Sequence, residues 1–219
     1  MLYNMIPPIR RAAVLAVLAF SATACARSGH EVETTSILSE EQEISSEADN
    51  KAALSPLGDD AFSIFDLGGE WRNEHARPVK IEDVSEKATV VALIYTSCTT
   101  TCPLIISALK VIDASVQKHP DVRFVLVSID PDRDTPGRLA EWAQNTRLDE
   151  SRWSLLSGSD RTVRELAVSL DVRYQQQSDG EISHTNGFSV IDSRGFVRHR
   201  QAGYSDVDSA VRVIRALLD

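Results

Sequence analysis

Two cysteines four residues apart are the feature of this sequence with the most chemistry in it. They sit in the run Tyr95-Thr96-Ser97-Cys98-Thr99-Thr100-Thr101-Cys102-Pro103. Spacing of four puts both sulfurs on one side of a first helical turn. There they can share a metal ion or close a disulfide, and the spacing alone does not choose between the two. Cys25 is the third cysteine of the chain, and the methionines are Met1 and Met5. Once an N-terminal leader is removed no thioether ligand remains, which narrows a metal site to Cys, His, Asp and Glu.

The flanking elements make that placement chemical. Thr89 to Tyr95 (TVVALIY) is a continuous apolar, β-branched run, as expected of a strand buried on both faces. Cys98 ends that strand and Cys102 opens a helix running to about Lys118. Ligands of open α/β sheets gather outside the carboxyl ends of strands, and a helix N-terminus favours thiolate over thiol. Val122 to Ile129 reads as a second buried strand. Thr135 and Pro136 read as N-cap and first residue of a helix to about Thr146. A third helix is expected over 159–170. Gly187 to Ile191 and Phe196 to His199 flank the turn Asp192-Ser193-Arg194-Gly195, a hairpin signal. Ser205, with Asp208 three residues on, is the expected cap of a last helix. A βαβ unit followed by a ββα unit is the thioredoxin arrangement: α/β, with a central mixed sheet and helices on both faces.

The chain before this domain reads differently. Arg10 and Arg11 precede the apolar stretch Ala12–Phe20, and Ala22-Thr23-Ala24 is a small-x-small cleavage pattern, so residues 1–24 are expected to be an export signal. Ala22-Thr23-Ala24-Cys25 resembles a bacterial lipobox, although Ala22 stands where that pattern prefers Leu. Cys25 is therefore the candidate lipidation site, and a diacylated cysteine supplies the two chains that stable anchoring needs. Residues 25–55 have the composition of a flexible acidic tether. Between Glu31 and Asp49 there are seven acids and no Lys or Arg, a stretch that buries too little to offset its ordering entropy. The remainder, 56–219, is one domain. The net charge of −9 in 219 residues argues against nucleic acid as partner, since phosphate neutralisation supplies most of that affinity. No heptad pattern is visible, and a monomer is expected.

Three segments together resemble the Sco/SenC family of copper-binding, thioredoxin-like proteins: YTSCTTTCP at 95–103, SIDPDRDTP at 128–136 and SHTNGFSVID at 183–192. The resemblance covers about Phe62 to Asp219. It implies one copper ion held by Cys98, Cys102 and His184, delivered to the dinuclear copper site of cytochrome c oxidase subunit II or to another cuproenzyme. With it come a periplasmic copper donor and a metallochaperone role, with thiol–disulfide oxidoreductase activity left open; the Cys25 pattern adds a lipid-anchored location on the periplasmic side of a bacterial membrane, the alternative being a soluble periplasmic protein. The donor set agrees: Cu(I) prefers soft thiolates and imidazole suits copper, whereas structural zinc takes four protein ligands and no fourth is evident. Cu(II) is the other ion such a set takes, with added oxygen ligands. The departures are Thr99, where many members have Pro, and Glu74-His75-Ala76-Arg77-Pro78, where many have an Asp-Gly turn. Neither removes a ligand.

The alternative is a thiol–disulfide oxidoreductase in which Cys98 and Cys102 exchange electrons with the cysteines of a cuproprotein target. A histidine at 184, where thioredoxins place a Thr-Pro pair, is hard to explain for dithiol exchange alone. A thiol peroxidase ranks lower, with no arginine near Cys98 in sequence. His30, His75, His119 and His199 read as tether, loop, helix-end and strand-face residues. Asp130 is the candidate acceptor behind the metal loop, while Asp132 and Asp134 read as loop and capping residues.

Overall fold

In the computed structural model, residues 62–177 and 181–219 are described; the expected signal, Cys25 and the acidic tether lie outside them. The strands are β1 (Trp71–Asn73), β2 (Pro78–Val79), β3 (Ala88–Ile94), β4 (Val122–Ser128), β5 (Trp153–Gly158), β6 (Tyr174–Gln176), β7 (Ile182–His184), β8 (Gly187–Asp192) and β9 (Val197–Ala202). The helices are α1 (Cys102–Ser115), α2 (Pro136–Thr146), α3 (Asp160–Ser169) and α4 (Asp208–Leu218). Seven strands form one mixed sheet in the order β2-β1-β5-β4-β3-β8-β9. β3, β4 and β5 run parallel at its centre. β6 and β7 make a separate antiparallel ribbon.

The centre of the sheet is dry because its strands are apolar on both sides. All seven residues of β3 are buried, as are six of the seven in β4. Helices must therefore cover both faces. Arg215 of α4 reaches the Ser115 carbonyl, and Lys110 of α1 reaches the Thr146 carbonyl. α1, α2 and α4 thus share one face. The chain leaving α3 at Leu170 closes over Val91 and Leu93 on the other. Trp153 stacks on Phe124 across β4 and β5 at 4.4 Å between ring centroids, and donates its indole N–H to Asp113.

The expected order is present, with additions. β5 intervenes between α2 and α3 at WSLLSG, a run too short and too serine-broken to read as a strand in sequence. β1, β2, β6 and β7 are two or three residues each, below the length at which alternation can be seen. Thr135 caps α2, its hydroxyl accepting from Arg138 N–H at 3.4 Å. Ser205 does not cap α4. Asp206 takes that work, accepting from the Ser209 N–H and hydroxyl, because the helix begins three residues beyond Ser205. Asp192 accepts from the N–H groups of Arg194 and Phe196, closing the β8–β9 turn. Gly187 opens β8 at φ +156°, where a Cβ would lie 2.1 Å from the Gln201 carbonyl oxygen. Only glycine permits that approach of β9 immediately after the His184 segment.

Candidate metal centre

β3 ends at Ile94, and the chain turns through Tyr95–Thr101 before α1 begins at Cys102. The Cys98 sulfur sits where the helix needs an acceptor. The Cys102 N–H donates to it at 3.3 Å, and the Thr101 hydroxyl lies 3.6 Å away. No hydroxyl caps α1, so the sulfur itself satisfies one of its orphan N–H groups. Both cysteines are buried, with no disulfide between them.

The two thiols are unequal. Burial pushes Cys98 up, but hydrogen bonds to its sulfur from Cys102, Thr101 and Thr100 outweigh it and hold the thiol down at about 6. Cys102 lies deeper. Burial, followed by the neighbouring Cys98 and Asp134 charges, pushes it up to about 12, against the opposing effect of a hydrogen bond from the Tyr95 backbone. Cys98 is therefore the more acidic thiol of the pair and the first to ionise.

The loop is tied down by a carboxylate that the sequence reading passed over as a capping residue. Asp134 is fully buried. It accepts from Thr96 N–H at 3.0 Å, from the Thr96 hydroxyl at 2.5 Å and from the Ser128 hydroxyl at 2.6 Å. Arg138 lies 3.8 Å from it and donates to the Thr96 hydroxyl at 2.8 Å. The start of the cysteine loop, the end of β4 and the first turn of α2 are thereby joined. Asp130 is also buried, but its carboxylate accepts from Arg133 at 2.5 Å. No sequence signal separates these two acids of one DPDRD run; their burial and partners do.

His184 ends β7, paired with Tyr174 of β6. Its Nδ1 lies 3.1 Å from the Thr185 carbonyl. A carbonyl only accepts, so Nδ1 carries the proton. Nε2 is then a bare lone pair, buried and without a hydrogen-bond partner. Burial lowers the imidazole pKa, against the opposing Thr185 bond, and keeps the ring neutral. Such a nitrogen is in the protonation state a metal ligand needs. Tyr95 stands beside it, its ring edge-on to the imidazole at 6.0 Å between centroids and its hydroxyl donating to Glu181 at 3.0 Å. Burial pushes the Tyr95 phenol well above the usual tyrosine range, and the hydrogen bond to Cys98 raises it further.

The structure thus brings Cys98 and Cys102 together and places His184 across Tyr95 from them. Among the described residues no three Cys, His, Asp or Glu side chains stand close enough to hold an ion as they are. His75 lies by Glu74 and Glu150 at the far edge of the sheet, and His119 follows α1, its carbonyl taken by Arg152. His199 on β9 also has an unpartnered Nε2.

The sequence model described as SCO1/SenC matches residues 65–219. The SCO1 protein homolog of Bacillus subtilis (strain 168) is 25% identical over 151 residues, which is 65% of this chain and 78% of that protein. The crystal structure of a SCO1/SenC family lipoprotein from Bacillus anthracis is 26% identical with a TM-score of 0.64, covering 71% of this chain and 96% of that one. ScoI of Arabidopsis thaliana, solved with copper bound, has a TM-score of 0.60 at 23% identity over 68% of this chain and 99% of that one. At that identity the likeness is one of fold.

Proposed function

The chain belongs to the SCO1/SenC family, and from that premise we propose that it is a copper metallochaperone serving the assembly of cytochrome c oxidase. Copper is its cargo, and Cys98, Cys102 and His184 are the ligands. The observation that supports this reading is His184 Nε2, a buried imidazole nitrogen without a hydrogen-bond partner, across Tyr95 from the two free cysteines. His199 Nε2 is likewise unpartnered; what sets His184 apart is its place edge-on to Tyr95, the residue that leads into the cysteine loop.

The residues divide the work of loading. Cys98 is already a thiolate at neutral pH, so it meets a cation without prior proton loss. Cys102 gives up its proton when it binds. His184 adds a neutral donor. Two thiolates and one imidazole satisfy Cu(I) with three ligands and leave room for an incoming ligand of the recipient, which suits cargo that must leave again. The N-terminal pattern supports export and anchoring through Cys25, and the Bacillus anthracis relative is itself a lipoprotein. Among the described residues no helix is long and apolar enough to cross a membrane.

The test is anaerobic Cu(I) titration of the reduced protein against a competing chelator. Wild type is expected to bind one equivalent. His184→Ala is expected to lose at least as much affinity as the roughly 10–100-fold typical of losing a hydrogen-bond partner behind a metal ligand. An affinity unchanged by His184→Ala removes the histidine from the site, and the metallochaperone reading with it.

The unequal thiols favour a second reading on the same residues. The Cys98 thiolate attacks a disulfide of the target, displacing one target sulfur as thiolate. Cys102, losing its proton, attacks the Cys98 sulfur of the mixed disulfide. The target leaves as a dithiol and Cys98–Cys102 leaves as a disulfide.

A further inference from the structure

The parallel strands β4 and β5 end beside each other, and each is followed by a helix. The two helix N-termini, Thr135 and Pro136 of α2 and Ser159 and Thr162 of α3, open onto one cleft of about 500 Å³. Arg72 and Ser157, paired across β1 and β5, line the same cleft. Ser157 is only 8% exposed, and its hydroxyl takes no hydrogen bond among the described residues. Arg72 lies in no ion pair among them, and its guanidinium makes one hydrogen bond, to the Ala76 carbonyl at 3.5 Å.

The donors outnumber what the protein uses. The first-turn N–H groups of Gly137, Asp160 and Arg161 have no partner among the described residues. Ser159 and Thr162 share one hydrogen bond at 2.8 Å between their hydroxyls, which leaves one O–H free. Gly69 crosses the mouth of α3 so closely that a Cβ would lie 2.4 Å from the Thr162 methyl. The backbone there leaves room at the helix end that any other residue would fill. Two helix N-termini and two hydroxyls around a space of this size, with Arg72 on its wall, are the elements of an oxyanion site. Glu70 is the one carboxylate on the cleft wall, and it is exposed.

We propose that this cleft, two strands along the same sheet rim from the cysteine loop, binds a phosphate-class oxyanion, either free or carried on a lipid headgroup. The test is NMR of the full chain, following the Gly137, Asp160 and Arg161 amides during titration with inorganic phosphate and, at matched ionic strength, with chloride. Phosphate is expected to give saturable shifts that chloride does not. Arg72→Ala, at an exposed position, is expected to leave the melting curve intact and to weaken binding about tenfold. Arg72→Lys should recover part of that loss and Glu70→Gln should tighten binding. Ser157→Ala should weaken it severalfold. Cosedimentation with phosphatidylglycerol vesicles distinguishes the sources. Retention that Arg72→Ala abolishes assigns a headgroup, and phosphate binding without retention assigns the free anion. Shifts that match those of chloride, or that persist unchanged in Arg72→Ala, overturn the proposal.

Discussion

The two halves of the candidate metal centre are built differently. The cysteine half stands on β3, in the middle of the seven-stranded sheet, and is fastened by the fully buried Asp134 to β4 and α2. The histidine half stands on β7, three residues that pair with β6 and lie outside the large sheet. A two-stranded ribbon is marginal without support, and here the support includes Tyr95. For the proposed copper carrier this difference would divide two tasks. A thiolate whose acidity depends on hydrogen bonds from a helix N-terminus needs a fixed loop. A ligand that must release its cargo gains from a mount that moves independently of the sheet.

The strongest way to break this comparison is to remove the fastening. Asp134→Ala leaves the half-buried Thr96 N–H and hydroxyl and the fully buried Ser128 hydroxyl without their shared acceptor. The expected loss is about 3–5 kcal/mol of unfolding free energy in urea. A loss below about 1 kcal/mol would mean that the loop is held by something else. Reactivity tests the cysteine half directly. The thiolate is the nucleophile, so iodoacetamide at pH 7 should modify Cys98 at least about a hundredfold faster than Cys102. Cys98 labelling should fall off as pH drops through about 6, while Cys102 stays slow until the medium is strongly alkaline. Mass mapping of the labelled peptides decides; equal rates would refute the asymmetry.

What was legible in the sequence follows the same division. β3, β4, α1 and α2 were readable because they are long and periodic or continuously apolar, and the cysteine loop was readable with them. The ribbon was not, because three-residue strands carry no period and Ile182–His184 resembles any polar loop. Asp134 was misread for a different reason. Burial of a carboxylate depends on Thr96, 38 positions away, and on Ser128, and no local pattern announces a long-range partner. Capping sits between these cases. Thr135→Ala should cost about 1 kcal/mol, Asp206→Ala somewhat less, and Ser205→Ala close to nothing. Equal losses at 205 and 206 would return the cap of α4 to Ser205.

A small expected effect is the most informative about how the halves are joined. Tyr95→Phe keeps the ring beside His184 and removes the hydroxyl that donates to Glu181, one residue before β7. Glu181 is exposed, so the global cost should be about 1 kcal/mol or less. Hydrogen exchange resolves where that cost falls. Amides of β6 and β7 should exchange faster, since local opening draws on the least supported element, while those of β3 and β4 keep their protection. If the β3 amides lose protection to the same extent, ribbon and cysteine loop open as one cooperative unit. His184 would then be as firmly mounted as the cysteines, and the division of tasks between the two halves would fail.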